Sequence, residues 1–169
     1  MRESFVYRHV PENLVVGVPR VRAAEPIFIS RPMDVIAHAV LLQHLLGTSG
    51  VVKAFVKVMT RRRYLCGFVS GDRIVSHVWA TALGRHYPIE RDACVLGPLR
   101  TETDMQRKGL ATALLQNAIA YLRQRGYRVF YIDAAKTNIA SQKTIAKAGF
   151  GPPFALLRNG DLVKIEPIT

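Results

Sequence analysis

The sequence predicts an α/β fold of the α+β type, a mixed and mostly antiparallel sheet flanked by helices. Three observations carry this expectation. Residues 63–83 make a β-rich hairpin about a Gly71–Asp72 turn; residues 93–101 read as a strand that runs into an amphipathic helix; and a second strand and helix are followed by a closing hairpin.

In chain order, residues 4–10 have the character of a first strand, which Pro11 ends. Residues 15–32 show no period and read as irregular chain with a short strand at 26–30. Helical spacing begins at Asp34, with Ile36, Val40, Leu41 and Leu45, and stops at Gly47. His38 and His44 on this stretch lack a carboxylate or thiol at metal spacing and read as packed or surface residues. Residues 51–59 suit a second helix, although their valines would also fit a strand. The hairpin follows, then a loop at 84–91.

On the strand at 93–101, simple alternation puts Val95, Gly97, Leu99 and Thr101 on one side and Cys94, Leu96 and Arg100 on the other. Gly97 and Pro98 mark a bulge. Leu110, Leu114, Ala118 and Leu122 then recur as one face of a helix that ends at Gly126. Residues 129–135 read as a strand, Asn138 as a cap or loop residue, and 141–148 as a helix closed by Gly149. Residues 154–158 and 162–165 pair around Asn159, Gly160 and Asp161.

The chemically informative stretch is Gln106, Arg107, Lys108, Gly109, Leu110 and Ala111, between strand and helix. The opening amides of a helix have no intrahelical partner, and the macrodipole adds about half a positive charge there, so a phosphate or pyrophosphate can be held by backbone alone. Gly109 lacks a Cβ, which lets an anion approach the main chain.

At 169 residues the chain has the length of one domain, residues 1–169, large enough for a core without metal or disulfide support. No apolar run reads as membrane-spanning and no signal-peptide core is present at the N-terminus, so the expectation is a cytoplasmic protein without a membrane partner. Cys66 and Cys94 are the only cysteines, far apart in sequence, and suggest neither a disulfide nor a metal site. The net charge of +12 is scattered, with Arg61, Arg62 and Arg63 as the only run of three. Lacking interleaved aromatics, it favours a polyanionic small ligand over nucleic acid.

A second cluster, Asn138, Ala140, Ser141, Lys143, Lys147, Gly149 and Phe150, follows the Gln-x-x-Gly-x-Ala run. With both motifs in this order across residues 74–150, the chain resembles the GNAT superfamily of acyl-CoA-dependent N-acyltransferases. The resemblance implies acetyl-CoA as acyl donor and a primary amine of a small molecule as acceptor, attacked directly in a ternary complex. It also implies a sheet whose parallel strands splay at the cofactor cleft. An amino sugar, anionic if nucleotide-linked, is the favoured acceptor by analogy; a protein amine and a non-catalytic acyl-CoA-binding regulator are the alternatives, and a homodimer fits this reading.

Carried over by position, Leu99 and Thr101, with Arg100 between them, pair with the pantetheine arm. Gln106, Arg107, Lys108, Gly109, Leu110, Ala111 and Thr112 surround the pyrophosphate, and Asn138, Ser141 and Lys143 complete the donor site, with Lys147 as a further contact. The family often places a tyrosine as general acid where this chain has Ile145. A primary alkylamine is only roughly 0.1% neutral near pH 7, so a group must take its proton. The candidates are His77, Tyr131, Asp133 and Glu102, with His86 and Tyr87 in the preceding loop.

Overall fold

A computed structural model describes residues 4–10, 24–60, 63–82, 90–159 and 162–167. The expected bounds at 15–23 and 84–89, with His86 and Tyr87, lie outside the described residues, as do Gly160 and Asp161. The elements run β1 (Ser4–His9), β2 (Glu25–Ile29), α1 (Pro32–Ala37), α2 (Ala39–Met59), β3 (Arg63–Ser70), β4 (Arg73–Ala82), β5 (Ala93–Thr101), a 3-10 turn (Thr103–Met105), α3 (Leu110–Arg123), β6 (Val129–Ala135), α4 (Ile139–Lys147), β7 (Pro153–Asn159) and β8 (Leu162–Pro167).

The described strands form one sheet in the order β2-β3-β4-β5-β6-β1-β7-β8. Every pair is antiparallel except β5 with β6. A parallel pair needs a crossover, and α3 supplies it. The fold class read from the sequence is therefore the observed one. The position of β1 was not legible: the first strand lies between β6 and β7, pairing Val6 with Asp133 on one side and with Phe154 on the other.

The two faces of the sheet carry different helices. Cys66, Phe68, Val78, Cys94, Leu96, Phe130 and Ile132 pack with Leu110, Leu114, Leu115 and Leu122 of α3 and with Ile145 of α4. Burying one such leucine completely is worth roughly 1.5–3 kcal/mol, and this face holds most of the core. On the other face Leu65, Ile74 and Trp79 meet Val35 of α1 and Leu42, Phe55 and Val58 of α2. Cys66 and Cys94 are fully enclosed strand residues; burial drives the Cys66 thiol far up and pushes Cys94 up to about 12, so both stay protonated and unreactive.

The helical region begins earlier than its periodicity suggests, at Pro32, where proline suits the first turn and Asp34 Oδ2 accepts from the amides of Ser30 and Arg31 at 2.9 and 2.8 Å. Gly47 does interrupt it, with φ 68° and ψ 169° inside α2, and residues 51–59 resume as helix rather than strand. By length and composition alone α2 is long and apolar enough to cross a membrane, with mean hydropathy 1.4 over its most apolar window. The break at Gly47 divides it into two shorter helices, as the spacing suggests.

Candidate active site

β5 and β6 pair from Ala93 with Val129 to Leu96 with Ile132, and there the ladder stops. The cause is local. Val78 lies opposite Leu99 and Ala80 opposite Leu96, so Gly97 and Pro98 together face Trp79 alone. Two residues against one is a bulge, and Pro98 has no amide to offer a neighbour. The strands part beyond it and leave an open fork.

The bulge also corrects the simple alternation. Cross-strand partners share a face, so Leu99 and Thr101, opposite Val78 and Ser76, lie on the α3 side with Cys94 and Leu96, while Arg100 joins Val95 on the α1–α2 side. Glu102 donates its amide to Val75 O at 2.9 Å. Antiparallel pairing alternates, so the main-chain groups of Arg100 also face β4, and those of Leu99 and Thr101 face the fork. Leu99 and Thr101 thus turn their main chain away from β4, the Thr101 carbonyl accepting from Gln106.

Directly after β5 the chain turns into α3. Arg107 and Gly109 both take positive φ, 63° and 77°. From Lys108 to Thr112 none of the amides meets a backbone acceptor among the described residues. A Cβ on Gly109 would touch no protein atom within 4 Å, so glycine is required there by backbone conformation, and the space beside it is open. Arg107 and Lys108 are exposed beside it. Leu110 is buried in the core and can contribute only its amide. The loop is anchored twice: Gln106 Nε2 donates to Thr101 O at 3.2 Å, and Arg73 at the start of β4 is paired with Asp104.

On the far side of the fork Asn138 caps α4, its Oδ1 accepting from the Ser141 amide at 3.1 Å. Gln142, which sequence reasoning passed over, donates to Ala135 O at 3.1 Å and Lys136 O at 2.8 Å and so fixes the turn leaving β6. Lys143 and Lys147 are exposed on α4. Ile145 is enclosed in the main core and offers nothing to the site.

The structure sorts the proton-transfer candidates. His77 on β4 lies opposite Arg100, on the α1–α2 face, and is 8% exposed. Burial, helped by the Arg100 charge, lowers its pKa from 6.5 to about 4, so the expected advantage of an imidazole titrating near neutrality is lost. Tyr131 is tied up: its hydroxyl donates to Glu90 Oε2 at 2.9 Å and accepts from Arg8 Nε at 3.3 Å, while Arg8 also bonds Glu90 Oε1 at 3.0 Å. Burial, with the Glu90 hydrogen bond, raises its pKa. Asp133 is exposed on β6, one residue past the last β5 partner, with the facing of Tyr131. Asp133, Arg100 and His77 thus stand on one face of three successive strands. Glu102 is exposed beyond the end of β5.

Residues 45–150 match the model of the acetyltransferase (GNAT) family. The chain belongs to this family. No curated protein matches the sequence. Among solved GNAT structures, an aminoglycoside acetyltransferase from an uncultured soil metagenomic sample, in complex with sisomicin, superposes with a TM-score of 0.59 at 11% identity, covering 75% of this chain and 88% of that one. The aminoglycoside N-acetyltransferase AAC(6')-Iy, bound to a CoA-linked acetylneamine bisubstrate analogue, gives 0.60 at 14% identity over 76% and 91%. A tandem GNAT protein from the clavulanic acid biosynthesis pathway gives 0.60 at 18% identity over 89% of this chain and 50% of its own length. At these identities the likeness is one of fold.

Within the GNAT frame the fork edges, the loop and the Asn138 cap are brought to one end of the parallel strand pair. Glu90 and Arg8, which hold Tyr131, gave no sequence signal, because their contacts join residues far apart in the chain.

Proposed function

We propose that this chain transfers an acyl group, acetyl in the first instance, from acyl-CoA to the primary amine of a small molecule, by direct attack in a ternary complex. The single observation that carries the reading is the fork between β5 and β6, open past Leu96 and Ile132, beside a helix-opening loop with unpaired amides.

The residues present suit such a donor. The amides from Lys108 to Thr112, with Arg107 and Lys108 beside them, are fitted to a pyrophosphate. The Leu99 main chain and the Thr101 amide suit an extended pantetheine arm, with the Thr101 carbonyl held by Gln106. Asn138, Ser141 and Lys143 border the same cleft. The bound thioester supplies an acyl carbon open to attack and a sulfur leaving group. The Leu99 or Thr101 amide is placed to hydrogen-bond the acyl oxygen as charge develops on it.

For the acceptor, Asp133 attracts an ammonium and takes its proton directly or through water, while neutral His77 and Arg100 line the same face. Two of the neighbours described above are aminoglycoside acetyltransferases. An amino sugar, free or nucleotide-linked, is the acceptor class in keeping with them, and the chain acts as a single cytoplasmic domain.

The test is release of free CoA from acetyl-CoA against a panel of amino sugars, aminoglycosides, nucleotide-linked amino sugars and peptides, with donor affinity measured by calorimetry. Turnover with a sugar amine supports the proposal. Tight acetyl-CoA binding without turnover on any amine replaces it with a non-catalytic binding role, and absence of binding overturns it.

A further inference from the structure

The helical pair over β3 and β4 has an outer surface that a water-facing helix would not ordinarily have. Among the described residues the exposed large apolar side chains are eight, and six of them, Met33, Ile36, Val40, Val52, Val56 and Met59, are on α1 and α2, each more than half exposed. Only 11% of the most apolar window of α2 is buried. Because the chain bends at Gly47, the end of α1 and the second half of α2 come together: Val35, Ile36 and Ala39 face Val51, Val52 and Phe55 across an open apolar groove of about 280 Å³. A patch of this kind marks an interaction surface.

Charge selects the occupant. From Arg31 to Arg63 the sequence has one acidic residue, Asp34, whose carboxylate is already bonded to the amides of Ser30 and Arg31. The same stretch has six basic residues: Arg31, Lys53, Lys57, Arg61, Arg62 and Arg63. On a helical projection Val52, Val56 and Met59 form one stripe and Lys53 and Lys57 flank it. Both lysines are exposed, with the Lys57 ammonium 6.0 Å from the centre of the Trp79 ring.

We propose that this face of α1 and α2 seats the protein on the surface of an anionic lipid bilayer. The apolar stripe enters the headgroup boundary and the flanking Lys53 and Lys57 meet the lipid phosphates. Spanning is excluded by the same features that favour lying flat. Gly47 breaks the helical ladder, and the 12 residues from 48 to 59 extend only about 18 Å against a hydrocarbon core of about 30 Å. A second copy of the chain is the poorer partner, since an isologous contact would bring two sets of these cations together with one acid apiece. The proposal is independent of the acyltransfer reading.

The experiment is co-sedimentation of the full chain with vesicles of mixed phosphatidylglycerol and phosphatidylcholine, and with phosphatidylcholine alone, at low and high salt. The wild type should bind the anionic vesicles. Replacing Val52, Val56 and Met59 together by serine keeps every charge and should weaken that binding at least about tenfold. Removing Lys53 or Lys57 should cost about fivefold each. Circular dichroism checks that these exposed substitutions leave the fold intact. The proposal is overturned if the wild type does not bind, if the triple serine variant binds as well as the wild type, which would assign binding to net charge alone, or if the wild type is a dimer that the triple substitution dissociates.

Discussion

Gln106 reaches back from the anion loop to the carbonyl of Thr101, so the first residue of the loop holds the last residue of the bulged strand. In the acyl-CoA reading proposed above, one side chain would thereby position both the donor's phosphate end and its pantetheine edge. A hydrogen bond of this type is worth about 0.5–1.5 kcal/mol. Gln106→Ala should therefore weaken acetyl-CoA binding about 2- to 10-fold in calorimetry, with little change in melting temperature because the residue is exposed. Unchanged affinity would separate the loop from the strand edge.

Gly109 is needed for its backbone angle and for the open space beside it. Gly109→Ala should cost about 1–2 kcal/mol of stability through the left-handed conformation alone, a fall of roughly 2–4 °C in melting temperature per kcal/mol. Gly109→Trp should leave the fold in place and abolish CoA binding; retained binding would put the donor elsewhere.

His77 is neutral when folded, with its pKa lowered from 6.5 to about 4 by burial and by Arg100. A group whose folded pKa is depressed gives its full stability above the unfolded value and loses it as pH falls toward the folded one. Stability should therefore decline between pH 6.5 and 4, and His77→Gln should flatten that part of the profile. Thermal melts across this range decide it, and identical slopes would mean that the imidazole is accessible.

Asp133 and Tyr131 sit on the same strand with different surroundings. Asp133→Asn should lower kcat/KM by about 10²–10⁴ with donor affinity unchanged, the scale of losing a general base. Tyr131→Phe should cost about 1 kcal/mol of stability by removing the bond to Glu90, with turnover largely kept. The reverse pattern in CoA-release assays would exchange their roles.

Much of this was legible because it is local. β5 and β6 have the expected bounds, since alternation and Gly and Pro punctuation are written within each segment. The Gly97–Pro98 bulge was readable for the same reason, yet its effect on facing was not, because one inserted residue inverts everything after it. Arg8, Glu90 and Tyr131 meet across sequence separations of 41 to 123 residues, for which no single segment holds a pattern. The exposed outer side of α2 escaped notice because apolar helical spacing looks the same whether it faces a core or something else.

The placement of β1 has a consequence for synthesis of the chain. It is made before its partners, and Val6 must wait for Asp133 and Phe154 before either flank is covered. A central strand whose neighbours arrive last commits the nascent protein to a slow, non-local closing step, so fusions or truncations at the amino end should lower soluble yield more than comparable changes at the β3–β4 turn.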